Sequence, residues 1–234
     1  MHKKTKQNKH QKGNCMNLSN KLFFYTFFFF FFLIASYCFS WPIPHSGQTD
    51  CFNDERRITC PKKGKRYYGQ DAHYLINKRS YTKLENNGIA LTSSASNWIM
   101  IKDNVTGLTW EVKTEDSSIN DKTKKYTWFE AKTNFIQQLN KMKFGGYSDW
   151  RLPTIKELSS ITNKGKYEPA LDKKFFPNTK YMFYNRDDNS AFYWSSTPHA
   201  NRDNVAWGVN FRSGDDETQR KSRSEYVRAV RDDL

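Results

Sequence analysis

The sequence predicts an α+β domain with two short-to-medium helices, several short antiparallel strands and long loops. Two observations predict this class. Two segments of the 234-residue chain place apolar residues at helical spacing after a threonine suited to cap a helix, one near residue 128 and one near residue 155. Elsewhere, short apolar runs alternate with clusters of turn residues, which is typical of short strands joined by loops.

Residues 1–40 have the layout of a secretory signal peptide. Six lysines and no acidic residue accompany an apolar run from Leu22 to Phe39. Because that run is about eighteen residues long, an uncleaved membrane anchor is the alternative. Lipoprotein processing at Cys38 is disfavoured because the bulky Tyr37 precedes it. Small residues suited to cleavage are Ala35, Ser36 and Ser40.

Loss of the six leader lysines lowers the formal net charge from +14 to +8, so the exported portion stays basic. Its length of about 190 residues fits one domain with a short amino-terminal extension. Residues 41–80 are rich in Pro, Gly and Lys and predict extended loops. We therefore divide the exported portion into a loop-rich extension, residues 41–97, and a domain, residues 98–234.

The exported portion has two cysteines, Cys51 and Cys60. An exported protein meets an oxidising compartment, so we predict a disulfide bond that closes a small loop. The nearest histidine is His73, and a zinc site would require more ligands than these. We predict neither a metal nor a cofactor.

The segment WIMIKDNVTGLTWEV, from Trp98 to Val112, contains two apolar runs separated by turn residues. We interpret it as two strands joined by a turn. Asp103, Asn104 and Gly107 suit the backbone of such a turn, which favours that role over metal binding.

The segment YTWFEAKTNFIQQLNKM predicts a helix over residues 128–143. Thr127 and Glu130 form a capping box at its start, and Gly145 ends the pattern. We interpret the apolar stripe as part of the core rather than a ligand platform. Its members are Trp128, Ala131, Phe135, Leu139 and Met142.

The segment SDWRLPTIKEL predicts a rigid entry into a second, short helix. Thr154 and Glu157 form another capping box, and Pro153 restricts the preceding residue to extended backbone. We expect Arg151 to be partly buried and to tie loop carbonyls together. A structural role is favoured over ligand contact for the whole set, Trp150, Arg151, Leu152, Pro153, Thr154 and Glu157.

Three segments complete the domain. AFYWSST and VAWGVNF predict strands, and EYVRAVRDD predicts a final strand with alternating side chains. Between them, RSGDDETQRKSRS is interpreted as a charged loop.

Five motifs in one order resemble the Lcl C-terminal domain family, which is named after the Legionella collagen-like adhesin. The resemblance covers residues 98–232, and the preceding GQTDCF, CPKKG and GQDAHY look like the extension of many bacterial members. It implies an exported or surface protein, and the named adhesin binds sulfated polysaccharides through this domain. The motifs are DNVTGLTWE, WFEA, GGYSDWRLPTIKEL, YWSST and YVRAVR.

The chain departs from that adhesin because it has no Gly-X-Y collagen repeat, so a trimerising stalk is not expected. WRLPTIKEL also resembles a segment of the formylglycine-generating enzymes, which implies a C-type-lectin-like fold. Those enzymes use a reactive cysteine pair late in the domain, whereas no cysteine follows Cys60 here.

Three other residue groups are candidates for sites. Ser195 and Ser196 lie near His199 in sequence but lack the glycine-bounded turn of a hydrolase nucleophile, so we predict no catalysis. The pair Glu168 and Pro169 resembles the calcium motif of sugar-binding lectins, but Ala170 replaces its Asn. The acidic stretch is interpreted as a polar turn rather than a calcium site, and it comprises Asp187, Asp188 and Asn189.

Basic residues crowd the last quarter of the chain. We predict that they bind an anionic polysaccharide, because the guanidinium fork matches sulfate and phosphate. The leader argues against nucleic acid, and membrane contact is expected only through an uncleaved leader. The predicted ligand-binding residues are Arg202, Arg212, Arg220, Lys221, Arg223 and Arg228.

Two alternatives to this prediction stay open. Acidic residues interrupt the cluster and could neutralise it, which would leave an ordinary basic surface on an envelope protein that binds another protein. Arg228 or Arg231 could instead have a structural role on the last strand. The interrupting acidic residues are Asp215, Asp216, Glu217 and Glu225.

Overall fold

A four-stranded antiparallel sheet forms one half of the core. The computed structural model describes residues 42–181 and 191–232, which belong to the compact unit Trp41–Leu234. The leader and the Asp187–Asn189 stretch lie outside the described residues. The strands, in spatial order, are β3 (Tyr81–Leu84), β4 (Met100–Asp103), β5 (Leu108–Glu111) and β9 (Val230–Asp232).

The predicted hairpin is β4 and β5, which pair from Met100 opposite Glu111. The Asp103 carboxylate accepts hydrogen bonds from the N–H groups of Val105 and Thr106, and Gly107 has a φ of +75°. The turn role of these residues is therefore confirmed. Burial raises the pKa of Asp103 despite these hydrogen bonds.

The second sheet has three antiparallel strands, β6 (Phe192–Pro198), β7 (Val205–Asn210) and β8 (Asp215–Arg220). Strand β8 lies in the segment predicted to be a charged loop, so that prediction is wrong. Six residues of β8 pair with β7, from Asp215 opposite Asn210 to Arg220 opposite Val205. An edge strand has solvent on one side, and a charged sequence is compatible with that position.

Two capping boxes begin the helices as predicted. Thr127 caps α1 (Trp128–Glu130) and forms the box with Glu130, and α1 continues into a π-helical segment (Ala131–Ile136) and α2 (Gln137–Lys141). These three pieces form one continuous helix, called the long helix below. Thr154 and Glu157 form the box of α3 (Ile155–Ser160). Within the described ranges, no helix has the length and apolar character needed to cross a membrane.

The extension contains a small hairpin, β1 (Cys51–Phe52) and β2 (Arg57–Ile58). Cys51 and Cys60 are joined with an S–S distance of 2.09 Å, which confirms the predicted disulfide. Strand β3 precedes the predicted boundary at residue 97, so the extension supplies an edge strand to the four-stranded sheet.

The end of the chain links the two sheets. Trp194 N–H donates a hydrogen bond to the Tyr226 carbonyl at 2.9 Å, and Tyr226 N–H donates one to the Phe192 carbonyl at 3.2 Å. A few residues later, Val230 belongs to the four-stranded sheet and forms an antiparallel bridge with Arg151. The segment from residue 225 to residue 231 is therefore buried throughout.

Candidate anionic-ligand surface

The SDWRLPTIKEL segment forms internal contacts around Trp150. The buried indole donates a hydrogen bond from Nε1 to the Phe144 carbonyl at 2.8 Å. The Asn140 side chain accepts a hydrogen bond from Trp150 N–H and donates one to the Trp150 carbonyl. The Pro153 carbonyl accepts a hydrogen bond from Ser196 N–H at 2.7 Å, which joins the segment to β6. These contacts support the structural role that the sequence predicts.

Arg151 ties carboxylates together rather than the loop carbonyls expected from the sequence. Its two terminal nitrogens each lie 2.8 Å from an oxygen of Glu157, and Nη2 also lies 2.9 Å from Asp232. Burial opposes ionisation of Glu157, but hydrogen bonds from Arg151 and Thr154 prevail and lower the pKa of its carboxyl. Arg151 thereby fixes α3 to the end of β9.

The structure removes Arg228 from the predicted ligand-binding set. Its side chain is fully buried, with Nη1 2.7 Å from the Glu111 carbonyl and Nη2 2.8 Å from the Thr179 hydroxyl. The guanidinium also lies over the Phe176 ring at 5.1 Å. Because the last segment is covered on both sides, an alternating sequence does not place Arg228 in solvent. The structural alternative applies to it.

Arg212 lies apart from the other predicted residues. It follows β7 at the closed end of the β7–β8 hairpin, where its guanidinium pairs with Glu168. The register of the hairpin places Arg220 five residue steps away, which is about 17 Å along a strand. One compact ligand contact therefore cannot be centred on both arginines.

The four remaining predicted residues converge at the open end of the same hairpin. Arg202 Nη2 lies 3.4 Å from the Thr218 hydroxyl on β8. Arg223 N–H donates to the Arg220 carbonyl at 2.9 Å, which folds residues 220–223 into a tight turn. Arg202, Arg220 and Arg223 are all exposed.

Lys221 connects this turn to the long helix. Its carbonyl accepts a hydrogen bond from Trp128 N–H at 3.0 Å, and its Nζ lies 4.4 Å from the centre of the Trp128 ring. Lys132, one helical turn after Trp128, places its own Nζ 4.2 Å from that ring. The two ammonium groups are therefore no more than about 8.6 Å apart.

These cations and their aromatic support are called the hairpin-end surface below. Two of its members are not predicted from the sequence, because Trp128 belongs to the predicted core stripe and no motif includes Lys132 as a ligand-binding residue. The i, i+4 spacing of Trp128 and Lys132 can be read from the sequence, but Lys221, which contacts the Trp128 ring, is remote in sequence. The members are Trp128, Lys132, Arg202, Arg220, Lys221 and Arg223.

Most of the interrupting acidic residues are engaged away from this surface. Asp215 lies 3.9 Å from Lys164, Asp216 accepts a hydrogen bond from Ser159, and Glu217 accepts one from Asn210. Glu225 is the exception, since its buried carboxylate lies 3.2 Å from Arg223 Nε. The cluster is therefore only partly neutralised.

Two grooves lie near these elements. One of about 460 Å³ adjoins the hairpin-end surface at Lys132 and is also lined by Ile136, Arg151, Leu152 and Ser196. The larger, about 750 Å³, lies between α3, the β7–β8 turn and the start of the extension. Only the smaller groove shares a residue with the hairpin-end surface.

The serine and histidine side chains that lie near each other in sequence make separate contacts. The buried Ser195 hydroxyl donates to the Trp207 carbonyl at 2.7 Å, whereas the His199 ring stacks on the Trp207 indole. The absence of catalysis stays a prediction.

The family model of the Lcl C-terminal domain matches residues 99–231, more than half of the chain. The chain belongs to the Lcl C-terminal domain family. The resemblance carried by the five motifs is thus confirmed. No curated protein matches the sequence.

Within this Lcl C-terminal domain, the motifs and the hairpin-end surface occupy different places. YWSST contributes to β6, and YVRAVR forms the buried segment between the sheets. Arg202, Arg220, Lys221 and Arg223 lie between those two motifs in sequence, at the open end of the hairpin that connects them. The family motifs therefore build the framework, and the candidate surface is carried by the connection.

Proposed function

We propose that this protein is an exported, non-catalytic, adhesin-like module that binds an anionic polysaccharide, with sulfated glycans as the preferred class. The observation that carries the proposal is the convergence of five cations on the Trp128 ring and the open end of one hairpin. The cations come from three separate parts of the chain. Membership of a family named after an adhesin adds coarse support.

Binding on this surface has two steps. The basic field attracts the polyanion, and salt weakens this attraction because the Debye length is about 8 Å at physiological ionic strength. The exposed guanidinium groups of Arg202, Arg220 and Arg223 then donate paired hydrogen bonds to sulfate or carboxylate oxygens. Trp128 keeps the ammonium groups of Lys132 and Lys221 close together, so these two positive charges are preorganised for the ligand.

The proposal includes a location outside the cytoplasm. The leader directs export, and the Cys51–Cys60 disulfide is suited to an oxidising compartment. A secreted, periplasmic or envelope-attached protein meets polysaccharides rather than intracellular nucleic acid. The antiparallel sheets and few helices of the structure support a C-type-lectin-like architecture.

The test is retention of residues 41–234 on a sulfated-glycan column across a salt series, for the wild type and for Arg202→Ser/Arg220→Ser/Arg223→Ser. We expect the wild type to be retained at low salt and to elute as the salt concentration rises, and the triple variant to lose most of this retention. Circular dichroism and thermal unfolding check that the variant is folded.

A matched control separates this surface from general basicity. Lys62→Ser/Lys63→Ser/Lys65→Ser removes the same charge from the extension. The extension contacts the domain near the closed end of the hairpin, where the Ser46 carbonyl accepts a hydrogen bond from Lys164 N–H. This control variant should keep wild-type retention. Equal losses in both variants would contradict a specific surface, and no retention of the wild type at low salt would favour the alternative of a protein-interaction module.

A further inference from the structure

The extension exposes several large apolar side chains to solvent. Ile43 is 83% exposed and Ile76 is 70% exposed. Asn77 holds them near each other, because its Nδ2 donates to the Ile43 carbonyl at 3.0 Å and its carbonyl accepts from His45 N–H. Tyr74 and Leu75, also exposed, directly precede Ile76, and these four residues are called the apolar patch below.

A basic loop lies beside this patch. His73 Nε2 is 2.9 Å from the Pro61 carbonyl, and the His73 and Tyr68 rings are 4.5 Å apart. Since Pro61 precedes the loop and His73 precedes Tyr74, these contacts bring the loop and the apolar residues together. The exposed cations of the loop are Lys62, Lys63, Lys65 and Arg66.

The extension as a whole is cationic. Residues 42–80 carry eight Lys and Arg against four Asp and Glu, a net charge of +4. Lysines next to isoleucine, leucine and tyrosine form a composition suited to the headgroup region of a bilayer, where apolar side chains insert and cations meet anionic lipids. A polysaccharide would use the charge but would leave the isoleucines in water.

We propose that this patch docks on the surface of a bilayer that contains anionic phospholipids. The position of the patch in the chain fits that partner, because Ile43 lies four residues after the apolar run that ends at Phe39. Four extended residues span at most about 14 Å, so an uncleaved leader would keep Ile43 close to the headgroups. A cleaved chain would use the patch for reversible attachment. This inference does not depend on the glycan proposal.

The test is co-sedimentation of residues 41–234 with vesicles of phosphatidylcholine containing phosphatidylglycerol, and with vesicles of phosphatidylcholine alone. We expect binding to the anionic vesicles only. Ile43→Ser/Ile76→Ser should lower the partition coefficient at least ten-fold, because two apolar side chains no longer leave water on binding. The separate variant Lys62→Ser/Lys63→Ser/Lys65→Ser should also lower it at least ten-fold, since about five-fold is expected for each basic residue near an anionic surface.

Two control variants complete the design. Ile89→Ser removes an exposed isoleucine outside the patch, and Arg202→Ser/Arg220→Ser/Arg223→Ser removes charge from the hairpin-end surface. Both should bind vesicles within two-fold of the wild type. The proposal is overturned by no vesicle binding, by an unaffected isoleucine variant, or by losses in the control variants. A dimer that Ile43→Ser/Ile76→Ser abolishes, without vesicle binding, would identify a second copy as the partner instead.

Discussion

Arg228 and Arg220 lie eight positions apart in one arginine-rich segment but have opposite environments. Arg228 is fully buried and donates to Glu111 and Thr179, whereas Arg220 is exposed at the end of an edge strand. The difference is topological. Arg228 lies where the last segment runs between two sheets, and Arg220 lies where β8 has a partner on only one side. Arginine density in a sequence therefore does not measure a binding surface.

The largest change in the free energy of unfolding is expected from Arg228→Ala. The substitution leaves a cavity and removes two charge-assisted hydrogen bonds from a buried site, so the free energy of unfolding should fall by about 3 to 5 kcal/mol. Urea unfolding followed by tryptophan fluorescence measures it. Arg220→Ala should change the same quantity by no more than about 0.5 kcal/mol. Similar values for the two variants would break the comparison.

An intermediate change in the free energy of unfolding is expected from Glu157→Gln, because Arg151, the ion-pair partner of Glu157, is only partly buried. The loss of its ion pair should cost about 1 to 2 kcal/mol at neutral pH. The pKa of Glu157 lies below its ordinary 4.5 in the folded state, so its stabilisation is complete above that value and is lost as the pH falls through the lower folded pKa. The difference between wild type and variant should therefore shrink in acid.

The control for this pH dependence is Glu55→Gln, which removes an exposed carboxylate in the extension. Its unfolding free energy should stay within about 0.5 kcal/mol of the wild type throughout the same pH series. A Glu157→Gln difference that grows in acid would be incompatible with the Arg151 pairing.

The smallest effect is expected from Arg212→Ser. Its partner Glu168 is about half exposed, and such surface pairs contribute about 0.2 to 1 kcal/mol. Because Arg212 lies at the closed end of the hairpin, glycan retention should stay within two-fold of the wild type. A loss as large as that of the Arg202, Arg220 and Arg223 triple variant would place the ligand along the whole hairpin.

Local sequence signals predicted the framework well. Thr127 and Thr154 each form a capping box through contacts three residues away, and the turn after Asp103 depends on neighbouring N–H groups. The proximity of Cys51 and Cys60 in sequence likewise made their pairing predictable. Such features depend on residues close in the chain, so the sequence specifies them directly.

The features that escaped prediction depend on remote pairing. Strand β8 has no apolar residue and becomes a strand only because β7 lies beside it. Arg228 is buried by two sheets whose arrangement no local pattern encodes. The contact of Lys221 with Trp128 joins residues 93 positions apart, so neither residue alone indicated the surface.

The most direct test of the central claim is an NMR titration of residues 41–234 with a sulfated oligosaccharide at physiological salt. We predict shifts at the Trp128 indole N–H and at the Nε–H groups of Arg202, Arg220 and Arg223, while the signals of Arg212 and the loop from Lys62 to Arg66 stay unchanged. Shifts confined to Arg212 or that loop would contradict the hairpin-end surface as the polyanion site.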